Sequence, residues 1–169
     1  MYSVNIKRKE IRKMRDYDIN IKGTSNVKIF GTGDDTIVVP SDVKFDSDRN
    51  KADIDIKDVS DVKIGIPGTA EKIELNITDS KIFISGLSFE ELEIDGKGEI
   101  TITIDGTNGP IDINMIGGTA TLIVPEGFSF CTEAKGRNNR IDSIIAEDHS
   151  SVNRIELNGR DSTLLIRNA

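Results

Sequence analysis

The chain has 169 residues, with 22 Lys plus Arg against 29 Asp plus Glu (net charge −7) and 36% hydrophobic residues. That is material for one domain with a real core, which excludes a wholly disordered chain, and one cysteine excludes an internal disulfide framework. No apolar run approaches the roughly 18 residues of a membrane-spanning helix, and the basic opening MYSVNIKRKEIRKMRDYD lacks the apolar stretch of a secretory signal, so the expectation is a soluble, acidic domain without a leader.

Residues 1–18 read as a basic N-terminal arm or cap. Residues 1–25 carry seven basic and three acidic side chains, a net +4. Asn5 to Tyr17 could form a short helix with Ile6, Ile11 and Met14 loosely on one face, or equally a strand or a disordered arm. The arm could touch an anionic surface or a partner.

From residue 19 to 169 the pattern is that of strands. The 27 Ile and 9 Val outnumber 7 Leu and 6 Ala, and β-branched side chains favour pleated strands over helices. Alternation begins with Ile19, Ile21, Val27 and Ile29. It continues as I-x-L-x-I at 73–77, I-x-I at 82–84, L-x-I at 92–94, I-x-I-x-I at 100–104, I-x-I at 111–113 and A-x-L-x-V at 120–124. A period of two buries one face of each strand. Corners are expected at Ile66-Pro67-Gly68, Thr78-Asp79-Ser80, Ser85-Gly86, Asp95-Gly96-Lys97-Gly98, the stretch 105–109 and Gly117-Gly118, where Gly, Asp and Asn tolerate turn conformations. After Pro125 the pattern loosens, 135–140 reads as a loop, and closing strands are expected at 154–157 and 163–166.

The strands return at a nearly constant interval. Ile37, Ile56, Leu75, Ile94 and Ile113 are 19 residues apart, as are Ile54, Ile73, Leu92 and Ile111. Val62, Ile82, Ile102 and Leu122 are 20 apart, as are Ile64, Ile84, Ile104 and Val124. Such a period predicts an all-β solenoid with coils of 19–20 residues, equivalent residues stacking about 4.8 Å apart. The alternative is an antiparallel β-sandwich or barrel, favoured by the Asp-Gly pairs at 95–96 and 105–106 and the Asn-Gly pairs at 108–109 and 158–159, all good hairpin turns.

Chemistry is sparse. His149 is the only histidine; a nucleophile–base set would have to pair it with Cys131, Ser150 or Ser151, and nothing in the spacing indicates that geometry, so no catalytic residue is assigned. Cys131 reads as a small thiol on the strand face opposite Phe128 and Phe130. Asp46-x-Asp48-x-Asn50 opens like a calcium loop, but Lys51 and Lys57 stand where glycine and glutamate are required, and no metal site is assigned. Gly31-Thr32-Gly33 and Gly96-Lys97-Gly98 precede no helix, so no nucleotide cofactor is expected, and the acidic body disfavours nucleic acid.

The candidate binding feature is an acidic ladder, Asp55, Glu74, Glu93 and Asp112. These are again 19 apart, on the face opposite the core series. Stacked carboxylates raise one another's pKa, which a cation or a basic partner relieves; Lys57, Lys72 and Lys81 are the alternative partners. A pair of carboxylates is also the minimum for glycoside hydrolysis, but only two Tyr and no Trp are present to make a sugar platform.

The segments GTATLIVPEGFSF (118–130), KGRNNRI (135–141) and IELNGRDSTLLI (155–166), with the opening INIKGTSNVKIFGTGDDTIVV (19–39), resemble the bacterial putative-adhesin family of β-strand-repeat proteins. The resemblance implies a single-stranded right-handed β-helix and an envelope-associated, surface-interacting role; the absence of a leader points instead to the cytoplasm. The favoured expectation is a non-enzymatic interaction or scaffold module for a protein or envelope macromolecule, as monomer or homo-oligomer. A self-assembling structural β-helix protein and a carbohydrate-active enzyme using the acidic ladder are the alternatives.

Overall fold

A computed structural model describes residues 14–105 and 109–169. Residues 1–13 of the basic arm, and with them most of its expected helix, and the Gly106, Thr107 and Asn108 corner lie outside them; Asp16 and Tyr17, at the end of that expected helix, are in a strand instead. Among the described residues the fold is all-β, with eleven strands joined in one sheet. No helix there is long and apolar enough to cross a membrane.

The strands are β1 (Asp16–Lys22), β2 (Val27–Gly31), β3 (Lys44–Asp48), β4 (Lys51–Lys57), β5 (Val62–Ile66), β6 (Lys72–Ser85), β7 (Glu91–Thr103), β8 (Ile111–Val124), β9 (Cys131–Ala134), β10 (Arg140–Ser143) and β11 (Arg154–Asn168). Strands β6, β7, β8 and β11 are long, and each bends into a leading and a trailing half. The remaining pairs β1/β2, β4/β5 and β9/β10 supply the two halves as separate strands. All named strand pairs are parallel except β3–β4.

The bends fall where sequence chemistry allows them. Asp58, Asp61, Asp79, Asn138 and Asp161 have positive φ there, as do Gly23, Gly96, Gly118 and Gly159. The strand register shifts at Thr78/Ser80 and at Gly96/Gly98, two of the expected corners. Gly96 sits at φ +121°, and a Cβ there would stand 1.9 Å from the Ile77 carbonyl oxygen of the next strand. No side chain fits that bend without moving backbone.

The order of strands through the stack differs from their order in the chain. Leading halves run β4, β1, β6, β7, β8, β11, β9; trailing halves run β5, β2, β6, β7, β8, β11, β10. Of the described strands the first, β1, lies inside the sheet: β4 is laid on one side of it, and the chain then crosses to lay β6 on the other. At the far end it lays β9 and β10 outermost and inserts β11 between them and β8. Strand β1 begins at Asp16, and Met14 and Tyr17 are buried in the core.

The inward row Ile54, Ile19, Leu75, Ile94, Ile113, Leu157 is fully buried. Each such side chain contributes about 1.5–3 kcal/mol of burial. The 19-residue spacing describes β6, β7 and β8, where Ile73, Leu92 and Ile111 are true neighbours. Elsewhere the expected series are corrected. Ile19 separates Ile54 from Leu75, and Ile21 lies between Ile56 and Ile77. Val27 lies between Val62 and Ile82, and Ile82 pairs with Ile100 rather than Ile102. Ile37 is buried but belongs to the β2–β3 connection, not to a strand of the ladder.

The two ends are treated differently from the middle. At one, the charged strand β3 lies antiparallel on β4. At the other, Glu147 accepts hydrogen bonds from the Thr132 backbone N–H at 2.9 Å and its hydroxyl at 2.5 Å, closing part of the β9 edge.

Candidate functional site

Residues that alternate with the core row point outward from the leading halves, and the parallel register lines them up. One row reads Asp46, Asp53, Asp18, Glu74, Glu93, Asp112, Glu156, Glu133 from end to end. Eight consecutive strands thus each place a carboxylate in the same row, neighbours about 4.8 Å apart in strand spacing.

The structure brings Glu74, Glu93 and Asp112 of the sequence-predicted ladder together on this row. It does not bring Asp55 to them. Asp55 pairs with Asn20, which pairs with Asn76, so Asp55 belongs to the adjacent row Asp55, Asn20, Asn76, Asp95, Asn114, Asn158. Its expected place is taken by Asp53 and Asp18, whose register with Glu74 follows from the insertion of β1. Sequence reasoning missed Asp46, Asp53, Asp18, Glu156 and Glu133 as members of this row, because none of them continues the 19-residue spacing.

Carboxamides of this adjacent row bond within it and to two carboxylates of the first row, Asp18 and Glu156. Asn20 donates to Asp55 at 3.0 Å, Asn76 to Asp18 at 3.1 Å and Asn158 to Glu156 at 2.5 Å. Basic side chains border the ends. Lys44 reaches Asp46 and Asp55, Lys51 reaches Asp18 and Asp53, and Lys135 and Arg154 both reach Glu133 and Glu156. In the centre Lys72 serves Glu91 at 3.5 Å and Glu93 at 3.2 Å.

The titration of the row follows this uneven pairing. Partial burial raises the Asp112 carboxyl above its ordinary range, and Glu156, Glu91 and Glu93 add to the shift. Burial likewise raises Asp95, against a hydrogen bond from Asn114 that lowers it. Glu156 is held below its ordinary range by hydrogen bonds from Lys135 and Asn158. Among the described residues the centre of the row is therefore the region with the fewest positive partners.

Of the other residues weighed from the sequence, Asp46 falls on this row and the rest lie elsewhere. Asp46 and Asp48 belong to the β3–β4 hairpin, and Asn50 to its turn. Among the described residues no group of three or more His, Cys, Asp or Glu is placed to hold a metal ion. His149 and Cys131 both line a depression of about 610 Å³, with Ser151, Glu133 and Arg154. Ser150 donates its hydroxyl to Asp148 at 2.6 Å, and the Cys131 thiol lies 3.5 Å from the Ser151 carbonyl. Phe130 is buried with Phe128 stacked on it at 6.2 Å, and Cys131 on the other face is half-buried.

A larger cleft, about 830 Å³, opens on the trailing halves. Its floor is strands β5, β2 and β6, and its wall is the β2–β3 connection. Gly65 makes that wall possible. Val38 and Gly65 exchange backbone hydrogen bonds at 3.0 and 2.9 Å, and a Cβ on Gly65 would stand within 3 Å of the Thr32 and Val38 side chains.

No family model matches the chain, and no curated protein matches it. Among solved structures it is similar to a putative cell adhesion protein from Clostridium sporogenes ATCC 15579, with a TM-score of 0.59 over 93% of each chain at 15% sequence identity. At that identity the likeness is one of fold.

Proposed function

We propose that the chain is a non-enzymatic interaction module, adhesin-like and associated with the cell envelope, built as a single-stranded right-handed β-helix. Its binding surface is the outward face of the leading strand halves, and its partner is a macromolecule that presents positive charge. The observation that carries this reading is the unbroken row of eight carboxylates. The parallel register of β6, β7 and β8 supports the helix, and the fold shared with a putative cell adhesion protein supports the adhesin-like role. A regular row of like charge, in which Glu74 and Asp112 form no ion pair among the described residues, gives a partner a fixed spacing to match and adds electrostatic steering.

The test uses a decalysine peptide as the probe. Binding to the wild-type protein is measured by fluorescence anisotropy across a salt series. The triple variant Glu74→Gln/Glu93→Gln/Asp112→Asn is compared with Asp48→Asn/Asp105→Asn/Glu126→Gln, which removes the same charge from exposed positions outside the row. The reading expects about tenfold weaker binding for the first variant and little change for the second. Equal losses, or no binding by the wild type, contradict it.

A further inference from the structure

The cleft on the trailing halves is independent of the carboxylate row and has a different character. Its floor contains the outward row Lys63, Lys28, Phe83, in register across β5, β2 and β6, with Phe30 and Ser85 in the row beside it. Val38 and Pro40 face this floor from the wall. Phe83 is 36% exposed, a large apolar side chain left in contact with solvent. At about 830 Å³ the cleft lies within the size range of small-molecule sites, roughly 300–1,000 Å³.

The two lysines distinguish it. Among the described residues neither Lys28 nor Lys63 forms an ion pair, whereas Lys44, Lys51, Lys72, Lys81, Lys97 and Lys135 all do. Among the described residues the two adjacent lysine ammonium groups are thus not tied to a carboxylate, although with Asp42 and Asp61 the lining as a whole carries no net charge. Their strands set them about 4.8 Å apart. The cleft also contains Asp61 and Asp42. The Asp61 carboxylate accepts a hydrogen bond from Asn26 at 2.7 Å, at the border of the floor. Asp42 belongs to the wall.

We propose that this cleft binds a small amphipathic organic anion, its charged head held by Lys28 and Lys63 and its apolar body laid on Phe83 and Phe30 beneath Val38 and Pro40. Lysine supplies mobile point charges rather than a fixed fork, so the head is selected for charge, and the apolar floor selects for the body. Asp42 opposes the same ligand, and its removal strengthens binding.

The probe is anilinonaphthalene sulfonate, an aromatic anion whose fluorescence rises in an apolar site, titrated into the intact chain. Neutral phenylnaphthylamine is the control for apolar binding alone. The proposal expects one sulfonate site per chain. It expects that site to weaken at least about tenfold in Lys28→Gln/Lys63→Gln and in Phe83→Ser, and to tighten in Asp42→Asn. Circular dichroism verifies that each variant is folded, and the charge variants change only exposed side chains. Absence of a saturable sulfonate site overturns the proposal. So does unchanged affinity in the lysine variant, equal affinity for the neutral probe, or weaker binding in Asp42→Asn, which would make the aspartate a contact for a cationic group.

Discussion

Glu93 stands directly opposite Asp112 on the outward face of the β7–β8 pair, two carboxylates in register, and among the described residues only Lys72 reaches the first of them. Like charges placed opposite each other across a strand pair oppose folding by roughly 0.2–1 kcal/mol. Asp112→Asn should therefore stabilise the protein by about 0.5 kcal/mol at neutral pH. The sign with pH follows from the raised Asp112 carboxyl. The folded chain binds that proton more tightly than the unfolded chain, so the wild type loses stability as pH rises from the ordinary 3.8 through the raised value. The advantage of the variant should be present at pH 7 and absent well below 3.8, as read by denaturant melts at both pH values.

Tyr17 lies inward between Ala52 and Ile73, and the small alanine leaves room for its ring. Among the described residues its hydroxyl is buried without a hydrogen-bond partner, and burial keeps it protonated far above the ordinary phenol range. Tyr17→Phe should keep the ring and remove the unsatisfied group, raising stability by about 1 kcal/mol. A destabilised variant in chemical denaturation would show that the hydroxyl has a partner in solution.

Gly96 and Gly159 flank Met115 in one row, and each has positive φ with a neighbouring carbonyl about 2 Å from where its Cβ would be. Gly96→Ala should cost at least about 2 kcal/mol, because both the φ and the close approach are lost. Lys97→Ala, at the next position and exposed, should change stability by less than about 0.5 kcal/mol. Thermal unfolding of the pair separates a backbone requirement from a general sensitivity of the corner.

The end strands bear on self-assembly. Strand β3 presents Lys44, Asp46 and Asp48 at one end, and Glu147 occupies an edge N–H at the other. Charged, short or capped edges resist strand addition. Sedimentation velocity across a concentration series should show no growth into rods, and Glu147→Ala should increase association. Filaments of the wild type would instead favour a structural, self-assembling role.

The parts of the fold set by local chemistry were legible in the sequence. Alternation marked Ile73, Leu75, Ile94 and Ile113 as core, and Gly and Asp marked the bends at Asp79, Gly96 and Gly118, because both signals act within a few residues. The order of the strands was not legible. Strand β1 pairs with β4, 35 residues further on at Ile19 and Ile54, and with β6, 56 residues further on at Leu75. The 35-residue interval recurs between β2 and β5, at Val27 and Val62, but neither interval matches the 19-residue return of β6, β7 and β8. That is also why Asp55 was misplaced. A slip of two residues keeps a side chain on the same face and moves it one row along, so the period of two gives no warning. The cleft left no periodic trace, since Lys28, Lys63 and Phe83 converge only through the same non-sequential order.

The measurement that tests the carboxylate face most directly is amide chemical-shift mapping of the labelled protein titrated with decalysine. The account predicts shifts concentrated on the leading halves of β6, β7 and β8, at Glu74, Glu93, Asp95, Asp112 and Asn114, saturating together. Shifts centred on the trailing halves, or spread over exposed acidic loops such as those of Asp58 and Glu126, would contradict it.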